Sequence, residues 1–595
     1  MKLKIFIAVP VIALAAFIAV SQIKNRPFAP AEDFPREALV YVQISDLPAL
    51  ARLWNESGFR EKYLASENFH DFQTHHLGLK LHSRWQEFNE AAGFPVDLET
   101  VSALAQNKAA IALYDVGKLE FVFIAPISDE IFAASLFARN QANFEAQTLD
   151  DETTIYRKNV EADRGRQKQE LIFTNAKGRF VLATSEKLLA QTLNNINGGG
   201  KSAKNRLSDE PSFKALSERT AAQQTATVWV NQAALNKDYY FNRYWLMSEV
   251  ESLANIRAGI FDFSLEEGKL TERRKFLLNQ PPPNQPAVIK SVQILAHLPE
   301  NVPFYRLRGA DNQTLDGAIR DTIFDARKDS ANDETDSRHY ASYDYYDSSS
   351  VDYRSLNENF DETIDETEAE TDTIETSEAV ADLSKLLQSA RPQTVLTFTE
   401  PRLLPAPLFA EFRRAAIFNL ASPGDFDRDA FESAIEKNIS ARVLISAPDV
   451  KLRWETKSEN SATWRELRLP MLGWEISYAT RGDDLILTNA SDFLREIAAT
   501  ENPAKNQAPG SSSPPPPLTE LTVLNLERKE EAYSRIFSAL GRKNAAGAFF
   551  TGNVESLLDS LSEVGKIEIK KYYSGGFLEE EITMILKPRE PEKEN

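Results

Sequence analysis

The chain has 595 residues, 42% of them hydrophobic and 10% aromatic, with a formal net charge of -20 and no cysteine. The missing cysteines exclude disulfides, thiolate nucleophiles, a lipid-modified cysteine anchor, and cysteine-ligated zinc or iron-sulfur centres. Sixteen of the carboxylates lie between Ala331 and Glu378 against only Arg338 and Arg354, so the remainder is mildly acidic and lacks the basic footprint of a nucleic-acid binder.

A chain this long divides into at least two domains of roughly 100 to 200 residues. It opens with "MKLKIFIAVPVIALAAFIAV". Lys2 and Lys4 precede an uncharged apolar run from Ile5 to Val20, or to Ile23 if Ser21 and Gln22 are counted. That length fits a short signal-anchor, with the apolar part of a cleaved signal peptide as the alternative. Residues 1–33 are expected to form this anchor and its stalk. The expected location is a single pass through the inner membrane at Ile5 to Ile23, with the bulk in the periplasm; secretion after cleavage is the alternative.

The first domain, expected over residues 34–280, begins with a strand in "PREALVYV" and a helix in "SDLPALARLW". Asp46 is placed as its N-cap, and Leu50, Leu53 and Trp54 as its apolar face. The following "HDFQTHHLGLKLH" gathers His70, His75, His76 and His82, a weak candidate for a metal or pH-responsive site. None of these is an i,i+4 pair, the spacing zinc sites use on a helix. A strand follows in "KAAIALY", then a capped helix in "SDEIFAASLFAR". "FVLATSEKLL" reads as a strand-to-helix corner with Thr184 or Ser185 as the cap. "GGGKS", Gly198 to Ser202, resembles a phosphate loop only in part, since Asn195 stands where the first glycine belongs and a helix precedes it. "ATVWVN" is a strand, and "IFDFSLEEGKLTERRKFLL" a hairpin turning at Glu267 and Gly268.

The Pro-rich linker is expected at 281–289, the second domain at 290–588, and a charged tail at 589–595. The second domain repeats the pattern of the first. "PENVPFYRL" echoes "PREALVYV" at an offset of 264, "RAAIFNL" echoes "KAAIALY" at 306, and "LILTNASDFL" echoes the corner at 305 with Asn489 or Ser491 as the cap. "LTVLNL" follows at about 295, and the closing hairpin at 308. The jump from 264 to about 306 implies an insertion of about 42 residues, where the acidic tract 328–380 stands. That tract carries too many like charges and too few apolar groups to order itself. A Pro/Ser-rich loop occupies 502–517.

"DFDRDAFESAIE" places Asp425, Asp427, Asp429 and Glu436 at positions 1, 3, 5 and 12 of a calcium loop. Position 6 is Ala430 instead of glycine, and position 8, normally apolar, is Glu432. An aspartate-capped helix is the competing expectation. No G-x-S-x-G elbow and no catalytic constellation is legible. No catalytic residue, cofactor or cofactor-binding residue is assigned.

The fold class expected is α+β, as two tandem diverged copies of a largely antiparallel sheet-and-helix domain, with the N-terminal transmembrane helix and the disordered acidic insert. The apolar N-terminus, "FPREALVYVQISDLPAL", "RFVLATSEKLL" and "ATVWVNQAAL" together resemble a family of bacterial extracytoplasmic proteins known only as a domain of unknown function. The resemblance is clearest from Phe34 to Leu278, and it implies no activity, ligand or functional residue. The leading expectation is a non-enzymatic, membrane-tethered interaction or scaffold protein with an envelope protein as partner. The alternatives are an envelope carrier of an apolar or lipidic ligand, motivated by 35 phenylalanines, and an enzyme of unknown class.

Overall fold

The computed structural model describes residues 30–324, 380–499, 517–527 and 563–587, apart from 57, 75, 106, 151–152, 161–168, 199–204, 219–223, 239–254, 267, 282–284, 301, 404–409, 444–451, 460–461, 470–473 and 575. The segment Ile5 to Ile23, nearly all of the acidic insert and of the loop 502–517, and the tail 589–595 lie outside the described residues. Among the described residues no helix is long and apolar enough to cross a membrane. The chain is α+β and divides into two compact units, Met1–Pro281 with Gly576–Glu579 and Pro282–Gly575 with Glu580–Asn595.

Unit 1 places ten strands in the order β4-β5-β6-β7-β3-β2-β1-β8-β9-β10. They are β1 Val40–Ile44, β2 Ala109–Asp115, β3 Glu120–Pro126, β4 Glu145–Asp150, β5 Thr153–Val160, β6 Gln169–Ala176, β7 Arg179–Ala183, β8 Ala226–Val230, β9 Ile256–Glu266 and β10 Lys269–Leu278. Unit 2 has β11 Phe304–Gly309, β12 Pro392–Leu403, β13 Ala410–Leu420, β14 Trp454–Glu459, β15 Ala462–Leu469, β16 Trp474–Arg481, β17 Asp484–Thr488, β18 Leu518–Asn525, β19 Val564–Ser574 and β20 Phe577–Leu586. Its order is β14-β15-β16-β17-β13-β12-β11-β18-β19-β20, the order of unit 1 with ten added to each label. The ladders are antiparallel.

Both faces of the sheet are covered at β7. All five residues of β7 are buried, which is why "RFVLA" reads as an unbroken apolar run and not as an alternation. Val181 and Ala183 join Tyr41 and Trp229 in one core, while Phe180 and Leu182 join Phe137 and Phe173 in the other. The Phe137 ring lies 4.8 Å from Phe180, 4.9 Å from Phe94 and 5.1 Å from Phe173. Many of the phenylalanines thus fill a solid core, each burial stabilising by roughly 1.5 to 3 kcal/mol.

Helices supply the outer layers. In unit 1 the chain between β1 and β2 forms α1 Leu47–Glu56, two short helices at Gly58–Ala65 and Glu67–Thr74, α2 His76–Ala92, and a further helix Leu98–Leu104. Asp46 caps α1, its carboxylate accepting from the Ala49 N–H at 2.9 Å, as expected. The buried face of α1 is Leu47 and Ala51; Leu53, expected inside, is exposed. After β3 comes α3 Asp129–Ala134, capped by Ser128, and after β7 comes α4 Glu186–Ile196. Gly198, with φ +86°, follows the end of α4 as a glycine at a helix terminus does, and the rest of "GGGKS" lies outside the described residues. Unit 2 places α5 Asn312–Ile319 after β11, α6 Arg428–Val443 after β13 and α7 Ser491–Ala499 after β17. Leu315, Ile319 and Ile323 form the buried face here.

The ladders correct one of the sequence correspondences. Tyr41 pairs with Ala112 of β2, and Tyr305 pairs with Phe398 of β12. The topological counterpart of "KAAIALY" is therefore β12, whereas "RAAIFNL" lies in β13, the counterpart of β3. Tyr41 and Ala112 are 71 residues apart, Tyr305 and Phe398 93. The excess there is 22 residues and not 42.

The strand-to-helix corners also differ from expectation. Ser185 occupies the N-cap of α4 without a side-chain cap bond. Thr184 instead clasps β3: its N–H donates to the Phe121 carbonyl at 3.2 Å, and its Oγ1 accepts from the Phe121 N–H at 2.9 Å. Asn489 makes the same pair of bonds to Arg414, N–H to carbonyl at 3.2 Å and Oδ1 from N–H at 2.7 Å, and its Nδ2 adds a bond to the Phe412 carbonyl at 3.0 Å. The corner polar group satisfies a backbone donor at a partly buried strand end.

Thr184→Val keeps the shape and removes the acceptor, so it should lower the unfolding free energy by about 1 to 3 kcal/mol. Asn489→Leu should do the same in unit 2. Urea titrations monitored by circular dichroism check both; a midpoint unchanged from wild type would refute the clasp.

Candidate functional site

The metal candidates are placed as follows. His70 and His82 are exposed, on the helix Glu67–Thr74 and on α2; His75 lies outside the described residues, and His76 begins α2. In the second candidate, Asp427 caps α6, its carboxylate accepting from the Ala430 N–H at 3.0 Å. Asp425 and Asp429 are exposed, and Glu436 lies two turns along the helix. Among the described residues no group of three His, Asp or Glu is placed to hold a metal ion.

The residue that breaks the calcium pattern, Glu432, anchors a buried cluster. Arg465 of β15 grips both its oxygens, Nε to Oε1 and Nη2 to Oε2, each at 2.6 Å. The Tyr478 hydroxyl of β16 donates to Oε1 at 2.5 Å, and Arg465 Nη1 reaches Thr456 Oγ1 at 2.7 Å. Phe431 and Trp454 pack on the Tyr478 ring at 5.7 and 5.4 Å. Burial pushes the Glu432 carboxyl up, but the Arg465 and Tyr478 hydrogen bonds and the Arg465 charge outweigh it and hold the carboxyl below its ordinary value. Burial, then the hydrogen bond to Glu432, raises the Tyr478 phenol far above its usual range. These hydrogen bonds tie α6 to β15 and β16.

The surfaces left open by the helices differ between units. On β1, alternate residues Val40, Val42 and Ile44 turn away from the core that holds Tyr41. Their ladder partners extend the same face through Ile111 on β2, Val228 on β8 and Phe261 on β9. None of these side chains is fully buried. Beside this face, the helices between β1 and β2 expose Leu53, Leu64, Phe72, Leu79, Leu81 and Trp85. In unit 2 the corresponding strand β11 carries Phe304, Arg306 and Arg308, flanked by Thr397 on β12 and Thr522 on β18. The same position of the sheet is apolar in one unit and cationic in the other.

Neither set was singled out from the sequence, although "FYRLRG" carried the period-2 signal that puts both arginines on one face. Glu432 and its partners had no such signal, since 33 residues separate Glu432 from Arg465 and 46 from Tyr478.

No family model matches the chain, and no curated protein matches it. Among solved structures it is similar to crystal forms I, III and IV of TP0453. The respective identities are 12%, 11% and 9%, covering 43%, 44% and 43% of this chain and 82%, 83% and 83% of that one. The TM-scores are 0.25, 0.24 and 0.24.

Because the folded carboxyl of Glu432 titrates below its ordinary value of 4.5, the stability it contributes is complete well above that pH. It is lost as pH falls through 4.5 toward the lower folded value. Glu432→Gln should flatten this acid limb of the stability curve. At neutral pH it should cost up to about 3 kcal/mol, the low end for orphaning a buried charge, because Arg465 keeps some access to water. Unfolding measured between pH 3 and 7 checks both; parallel curves for wild type and variant would remove Glu432 from the linkage.

Proposed function

We propose that this chain is a non-enzymatic interaction module of the cell envelope. It consists of two tandem diverged copies of one α+β domain, tethered to the inner membrane by Ile5 to Ile23 with its bulk in the periplasm. Its partner is an envelope protein, bound through the helices that unit 1 inserts between β1 and β2. The observation that carries the reading is the exposure of large apolar side chains on those consecutive helices, led by Leu79 at 53%, Leu53 at 48% and Trp85 at 43%. Single exposed leucines are ordinary; several along adjacent helices mark a surface that another molecule covers. The duplication is supported by the shared strand order and by corresponding ladder pairs and corner clasps, Thr184 with Phe121 and Asn489 with Arg414. The mutual hydrogen bonding of Glu432, Arg465 and Tyr478, which joins one helix to two strands, supports a structural role for that cluster over a catalytic one.

A second reading, a carrier of an apolar or lipidic ligand, is favoured by one observation, the incompletely covered sheet face of Val42, Val228 and Phe261. Native mass spectrometry of the full chain extracted from its own membrane separates the two. The interaction module predicts a stoichiometric polypeptide that is lost, at least tenfold, in Leu79→Glu/Trp85→Glu while the circular dichroism spectrum is unchanged. A lipid-sized adduct that survives those substitutions and departs with Val42→Asp would replace the module by the carrier.

A further inference from the structure

The charges on β11 are not required by the fold. Arg306 and Arg308 stand at the ladder positions that Val42 and Ile44 occupy in unit 1, and strand order is the same with either. Arg306 donates to Thr522 Oγ1 at 3.3 Å and lies 3.7 Å from Glu520, a carboxylate it shares with Lys571 at 3.5 Å. Lys571 also faces Glu580 at 3.8 Å. Arg308 is different. Its Nε is buried without a hydrogen bond, and among the described residues the guanidinium makes no ion pair. Asp311, the acid adjoining the start of α5, already accepts from the Thr314 and Ala287 N–H groups, and Asp311, Asp321 and Glu520 act on Arg308 only at longer range. A partly buried cation with an unbonded buried Nε and no ion pair favours a carboxylate that can reach it.

The chain itself carries such carboxylates next to this face. The helix that follows β11 ends at Phe324, and Arg414 Nη1 donates to the Asp321 carbonyl at 2.9 Å near that end. From there the sequence runs into the segment with sixteen Asp and Glu and two Arg between Ala331 and Glu378. We propose that the sheet face around Arg306 and Arg308 is the docking surface for this segment, residues 331–378, of the same chain. Tethering at both ends keeps its carboxylates at an effective concentration in the millimolar range. Pairs that are individually weak then act together, and an anionic partner from outside must compete with the tethered segment.

The test uses the full chain in detergent, beside a variant in which 331–378 is replaced by a neutral Gly/Ser stretch of equal length. The probe is a fluorescent peptide of residues 358–378, read by anisotropy. The replaced variant should bind it, and affinity should fall at least tenfold between about 50 and 200 mM salt. The intact chain should bind at least tenfold more weakly, its own segment occupying the face. Arg306→Ala/Arg308→Ala in the replaced background should lose binding at least tenfold, while Arg306→Lys/Arg308→Lys, which preserves charge, should keep most of it. Equal binding by intact and replaced chains, binding indifferent to the arginines, or full displacement by equimolar inorganic phosphate would each overturn the proposal.

Discussion

The pairing of β7 with β3, and of β17 with β13, is the constraint on which the rest of each unit depends. Both strands of the pair lie inside the sheet and are sandwiched between helical layers, so their backbone groups must be satisfied by neighbouring strands. That forces the three-strand excursion β4-β5-β6 to return and lay β7 against β3 in one register, and it forces the end of the ladder to be closed from within the protein. Thr184 and Asn489 perform that closure with different side chains on the same backbone atoms. With this seam set, the helix after β7 falls on one face and the helices after β1 and β3 on the other.

Much of this was legible in the sequence where burial dictates composition. The offsets of 264, 305 and 308 survive in the ladders, since β1, the corner and the closing hairpin carry distinctive turn and cap residues. The equation of "KAAIALY" with "RAAIFNL" does not survive. Two different central strands, each squeezed between helices, independently select small and β-branched residues, and local sequence carries no label of which neighbour a strand will meet. Polar residues at a corner are ambiguous for a related reason. Serine, threonine and asparagine serve a helix start and a strand end with the same atoms, and only the distance to Phe121 or Arg414 decides between them.

The surfaces follow a different rule from the cores. Cores in the two units are interchangeable in kind: aromatic and aliphatic side chains packed to the same depth on equivalent strands. The open faces are not, with Val42 and Ile44 in one and Arg306 and Arg308 in the other. Selection on a buried position is for volume, whereas selection on an open one is for whatever meets it. A difference concentrated there, on a shared strand order, is the pattern expected when two units face different neighbours.

The two clasps also age differently. Asparagine side chains hydrolyse slowly to aspartate, and they are among the thermolabile groups of proteins. At Asn489 that reaction would turn the Nδ2 donor, now 3.0 Å from the Phe412 carbonyl, into a second acceptor. Two oxygens would then face each other at the end of a sealed ladder, one of them charged. Thr184 has no such chemistry. Unit 2 therefore carries a built-in chemical clock at its central seam that unit 1 lacks.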